Sequence, residues 1–91
     1  MAEITVTSSD RDPAAFDVGV TAGGKRTAYR VTVPEDVRAR FASTAPEDLV
    51  RASFEFLLER EPPRSILPEF SLSVISRYFP EYLDDLASRL G

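Results

Sequence analysis

"AFDVGVTAGGKRTAYRVT", residues 15–32, is the stretch on which the reading of the fold turns. Two alternating runs flank Gly23-Gly24, and a tight two-residue turn needs positive φ at both central positions, which residues without a Cβ reach at no steric cost. If Ala22 faces Lys25 across that turn, Val20 pairs with Thr27, Val18 with Tyr29 and Phe16 with Val31. This register places those side chains on one face and Asp17, Gly19, Thr21, Arg26, Ala28, Arg30 and Thr32 on the other. Strands are therefore expected over about residues 15–22 and 25–33. The Gly-Gly-Lys within "AGGKRT", residues 22–27, superficially resembles a phosphate loop. It lacks the G-x-x-x-x-G-K-[ST] spacing, and no helix follows it.

Upstream, residues 3–8 alternate more weakly, with Ile4 and Val6 on one side and Thr5 and Thr7 on the other. The polar loop "SSDRDPA" lets this segment return as a third strand. The result is a small antiparallel sheet of two or three strands whose apolar face needs cover.

The cover is helical. Pro34 suits the first turn of a helix over about 35–42, with Val37 and Phe41 one turn apart and Glu35 and Asp36 at its positive end. Thr44 with Glu47 three residues later forms a capping-box pattern, so a second helix is expected over about 45–61, stopped by Pro62-Pro63. Glu47 and Arg51 are spaced to pair on its exposed side. The apolar residues of this helix spread over roughly 240°, whereas a helix resting on one core shows a stripe nearer 100° wide. Either it is the central helix, covered by the sheet on one side and the C-terminal segments on the other, or part of the arc around Phe54 and Leu58 meets a partner or a second copy of the chain.

After "RSILPEF", read as a connector anchored by Ile66, Leu67 and Phe70, helices are expected over about 71–79, with Ser71 as N-cap, and 80–90, opened by Pro80. Tyr78, Phe79 and Tyr82 fall within five residues of one another. A helix broken at Pro80 cannot aim all three rings at one core, so at least one ring is expected to stand out beside Arg77. Aromatic residues with an arginine are the usual composition of a binding hot spot. The expected partner-binding residues are Phe54, Leu58, Arg77, Phe79 and Tyr82. The competing reading makes all three rings core. Asp84 and Asp85 diverge by about 100° on a helix and read as a solvated face, not a metal site.

Composition narrows the chemistry. The chain has 91 residues, 43% of them hydrophobic and 29% charged, the balance of one ordinary globular domain over residues 1–91. Cys and His are absent, which removes thiolate and imidazole chemistry, disulfides and the common zinc ligands. Asn, Gln and Trp are absent too, and Lys25 is the sole lysine, as suits a chain from a GC-rich genome. No Ser-His-Asp or Cys-His arrangement can be built, and a Ser-Lys dyad would depend on a lysine in a hairpin turn. A non-enzymatic protein with no cofactor is expected. No apolar run approaches the roughly 18 residues of a membrane span, and "MAEITVTSSDRD" lacks the form of a signal peptide, so a cytoplasmic location is expected.

The segment Asp48–Tyr82, read as the pattern ELVxxSFxFLLEREPxxSIL followed by FxLSVIxRYFPEY, resembles a group of short uncharacterised bacterial proteins. The likeness covers about 35 residues: Leu49-Val50, Ser53-Phe54, Phe56 to Pro62, Ser65 to Leu67 and Phe70 to Tyr82 match, and Asp48 stands for the Glu. It implies a bacterial origin and a compact domain, and carries no activity with it.

Net charge is −4, which opposes general nucleic-acid affinity. The distribution is uneven, with Lys25, Arg26, Arg30, Arg38 and Arg40 clustered between residues 25 and 40. A β-ribbon presenting Lys25, Arg26 and Arg30 is the alternative site, as in antitoxin-like nucleic-acid-binding regulators; the same charges also read as a solubilising sheet face. The sequence thus points to an α+β domain, its small antiparallel sheet followed by three or four helices packed on one face. Its expected role is a protein-binding or regulatory module whose partner is another protein or a second copy of itself in a homodimer.

Overall fold

Gly23 and Gly24 have φ of 60° and 78°, the pair of positive angles that the hairpin turn demands. The computed structural model describes residues 2–90. Strands β1 (Glu3–Ser8), β2 (Ala15–Ala22) and β3 (Lys25–Thr32) form an antiparallel meander in the anticipated register, Ala22 opposite Lys25 and Phe16 opposite Val31. Ile4 and Val6 pair with Val20 and Val18, extending the apolar face to the edge.

Helix α1 (Glu35–Arg40) leads into α2 (Pro46–Leu58), and both are shorter than expected. The capping box does not form: Ala45 is the N-cap without a side-chain bond, and the Thr44 N–H donates to the Phe41 carbonyl. A preceding turn already engages Thr44, so proline at the first helical position does the starting. At the other end the regular helix stops at Leu58, and its last turn is closed by the Glu59 and Glu61 N–H groups on the Glu55 and Leu57 carbonyls before the double proline. Arg51 does not turn to Glu47 but donates to the carbonyl of Ile4.

The expected helix over 71–79 is replaced by three short pieces. Residues Glu69–Ser71 form β4, which adds to the sheet parallel to β3, Phe70 beside Val31. A 3₁₀ turn, Leu72–Val74, follows with Ser71 as its cap, and α3 covers only Ile75–Tyr78. Pro80 is the reason α3 stops: it disfavours helical backbone at Phe79, which sits at φ −133°, ψ 89°. The last helix, α4, is Tyr82–Leu90. The sheet is thus four-stranded and mixed, in the order β1-β2-β3-β4, and α1 and α2 supply the crossover that a parallel neighbour requires.

The wide apolar arc of α2 is explained by two covers. Leu49, Val50, Ala52, Ser53, Phe54, Phe56 and Leu57 are all buried. Phe54 turns to the sheet, its ring centroid 5.2 Å from Tyr29 and 6.0 Å from Phe70. Phe56, two residues on and so about 200° further round, meets Tyr82 at 5.3 Å and Phe79 at 5.7 Å. Helix α2 is the central helix.

Tyr82 and Ser53 form the polar joint between α4 and α2. Their hydroxyls lie 2.6 Å apart, and Ser53 Oγ donates to the Leu49 carbonyl at 2.7 Å, so the Ser53 oxygen accepts from Tyr82. Burial pushes the Tyr82 phenol up to about 12 from its ordinary 10, opposed by the bond to Ser53. A proton held more tightly in the folded state keeps its stabilising effect below about pH 10 and loses it as pH rises to about 12. Over that window stability should fall by roughly 2 to 3 kcal/mol through this group. Tyr82→Phe is expected to cost about 1 kcal/mol at neutral pH, a net hydrogen bond, and to flatten the alkaline limb relative to the parent. Urea titrations of both proteins at a series of pH values measure the difference; parallel curves would assign the alkaline loss to other groups.

Candidate functional site

Among the described residues, the large apolar side chains that stand mostly in solvent are Leu67 and Tyr78, and they lie together. Leu67 is 51% exposed and Tyr78 70%, and both line a groove of about 240 Å³. Its floor is Leu57, Phe70 and Phe79, its walls the Pro62–Leu67 loop and the Val74–Tyr78 turn and helix. Local structure places each part. Pro62 and Pro63 end the helical path and start a single 3₁₀ turn, Pro63–Ser65, which swings Ile66 into the core and leaves Leu67 outside. Pro68 holds the backbone extended into β4, so Phe70 turns inward toward Phe54. Val74 and Tyr78, one helical turn apart, share a side of the 72–78 segment. Tyr78 overshoots the rim of the core. Glu61 is the one carboxylate in the lining, and Ser65 adds a hydroxyl.

Of the residues expected to bind a partner, the groove gathers only Phe79, half-buried in its floor. Tyr82 and Phe54 are 0% exposed and belong to the core, which corrects their assignment as partner-binding residues. Leu58 is half-buried in a separate shallow depression with Ile4, Arg51 and Arg89. Arg77 is exposed beside Tyr78 in sequence but is not in the groove lining. The expectation that one of the three clustered rings stands out does correspond to the structure: it is Tyr78. Leu67, Phe70 and Glu61 carried no site signal in the sequence beyond the prolines around them.

Arg26 and Arg30 lie on the open face of the sheet, mixed with acids, while Lys25, at the turn, alternates to the other side. Arg30 Nε donates to Asp17 at 3.0 Å, and Glu69 of β4 is registered beside Arg30. Lys25 and Arg26 are exposed, the Arg26 guanidinium lying over Gly19, where a Cβ would come within 2.9 Å of it. A phosphate track needs adjacent unneutralised cations; this face alternates sign.

A second charged cluster ties α4 to α2. Arg89 reaches Glu59 at 2.6 Å and also pairs with Asp85, while Arg60 stacks its guanidinium 3.7 Å from the Phe56 centroid and stands 3.8 Å from Asp85. The bond from Arg89 holds the Glu59 carboxyl below the usual carboxylate range. Each cation has an acid or a ring, so the cluster is a clasp that closes the aromatic layer from outside. Among the described residues no group of three or more acids is placed to hold a metal ion, and no helix is long and apolar enough to cross a membrane. The chain matches no known family model, and no curated protein or solved structure is significantly similar to it.

Proposed function

We propose that the protein is a non-catalytic protein-binding module and that the groove beneath Leu67 and Tyr78 is where its partner docks. The observation that carries this reading is the convergence of these two exposed side chains on one concave surface, whereas Tyr82, Phe54 and Phe56 are spent on the core. Keeping a large ring 70% in water forgoes the stabilisation its burial would give, and it sits where an aromatic anchor of an interface would sit. The lining offers one carboxylate and two hydroxyls against a mostly aliphatic and aromatic wall, a composition suited to holding an apolar side chain.

The substitution that tests this is Tyr78→Ala. A surface change at an exposed position should move stability by no more than about 0.5 kcal/mol. Loss of a central aromatic anchor should weaken capture of a partner by at least about 2 kcal/mol, roughly thirtyfold. Affinity capture from the expressing cells with the parent and the variant, at matched folded concentration, reads the effect. Equal capture by both proteins would remove the groove from the binding surface.

A further inference from the structure

Building on that docking reading, we infer that the groove's occupant is an extended peptide segment, alternating apolar and basic residues, that pairs with the free edge of β4. Strand β4 is last in the sheet order, so its side away from β3 has no strand neighbour. The Arg30 N–H donates to the Pro68 carbonyl at 2.8 Å, so Pro68 and Phe70 turn their backbone groups toward β3. Alternation then turns those of Glu69 and Ser71 outward. An exposed edge of this kind is a template for another chain. The opposite edge is treated differently, because Arg51 from α2 occupies the Ile4 carbonyl of β1.

Two further features select the segment. A strand added to β4 would send alternate side chains to the Phe70 side, where the apolar groove opens, and to the Glu69 side, which is exposed. Glu61 in the groove and Glu69 on the strand form no ion pair among the described residues, so both ends of this strip favour cations. The edge is short, with β4 offering three residues for pairing beside the groove. It suits a short linear segment.

Selection of a phage-displayed library of random linear peptides on the folded protein tests this. Enriched peptides should alternate apolar residues with Lys or Arg. Methylating the alternate backbone nitrogens that would face β4 should weaken the best of them at least about tenfold. Binding of the unmethylated peptide should slow hydrogen exchange at the Glu69 and Ser71 amides. Peptides with helical spacing, or with affinity unchanged by methylation, would overturn the strand pairing; the groove would survive that result if Tyr78→Ala still abolished their binding. No enrichment over the Tyr78→Ala protein would overturn both. A mass that rises with concentration and falls when peptide is added would make a second copy the occupant and the peptide a mimic.

Discussion

Tyr82→Ala is expected to remove a large share of the protein's stability. The ring is 0% exposed, packed on Phe56 at 5.3 Å, and its hydroxyl closes the bond to Ser53. Truncating such a ring leaves a cavity and costs about 3 to 5 kcal/mol. The Ser53 hydroxyl keeps its bond to Leu49, so the loss is one of packing more than of polar satisfaction. A chain of this length has some 5 to 14 kcal/mol in total. Since each kcal/mol is worth roughly 4 to 8 °C in a domain of this size, the melting temperature should drop by at least about 12 °C. Calorimetry of the variant beside Tyr82→Phe checks it; a near-native melting temperature for the alanine protein would mean that Tyr82 is outside the core.

Phe54→Ala should do comparable damage for a different reason. Phe54 is the contact through which α2 grips the sheet: its ring lies against Tyr29, whose hydroxyl donates to the Pro63 carbonyl at 2.6 Å, and against Phe70 of β4. Removing it takes packing from both, at a cost of about 3 to 5 kcal/mol. The groove's floor should loosen with it, because Phe70 is shared. The expected signature is faster hydrogen exchange in β4 and α3 at denaturant concentrations where β2 and β3 are still protected. Uniform exchange across all these elements would indicate that the sheet and its C-terminal cover open as one unit. A folded Phe54→Ala protein that had merely lost an association would contradict its place in the core.

The hairpin was legible because its signal is local: Gly23-Gly24 needs positive φ, and period-two alternation on each side leaves one register. The central position of α2 was legible from the width of its apolar arc, although that width alone could not say what would cover it. Strand β4 was hidden. Only Phe70 points inward from a three-residue strand, and a period cannot be read from one residue. Its pairing with β3 also spans some forty residues of chain, so no local pattern encodes it. The same blindness moved the site: Tyr78 and Tyr82 are one helical spacing apart in sequence, yet the Pro80 break sends Tyr82 under α2 and leaves Tyr78 on the rim. Composition could flag the aromatic cluster, but only the direction of the chain after Phe79 separates the exposed ring from the buried one. The clasp of Arg60 and Arg89 was equally unreadable, because it joins α2 to α4 across the fold.

The most direct measurement of the docking claim is site-specific photo-crosslinking in the cells that express the protein. A photoreactive phenylalanine analogue is placed at Tyr78 in one protein and at the exposed Asp84 of α4, away from the groove lining, in another. The predicted result is a discrete protein adduct at position 78, suppressed by Leu67→Asp in the same chain, and none at position 84. The contradicting result is the same set of adducts at both positions, or an adduct at 78 that Leu67→Asp leaves untouched.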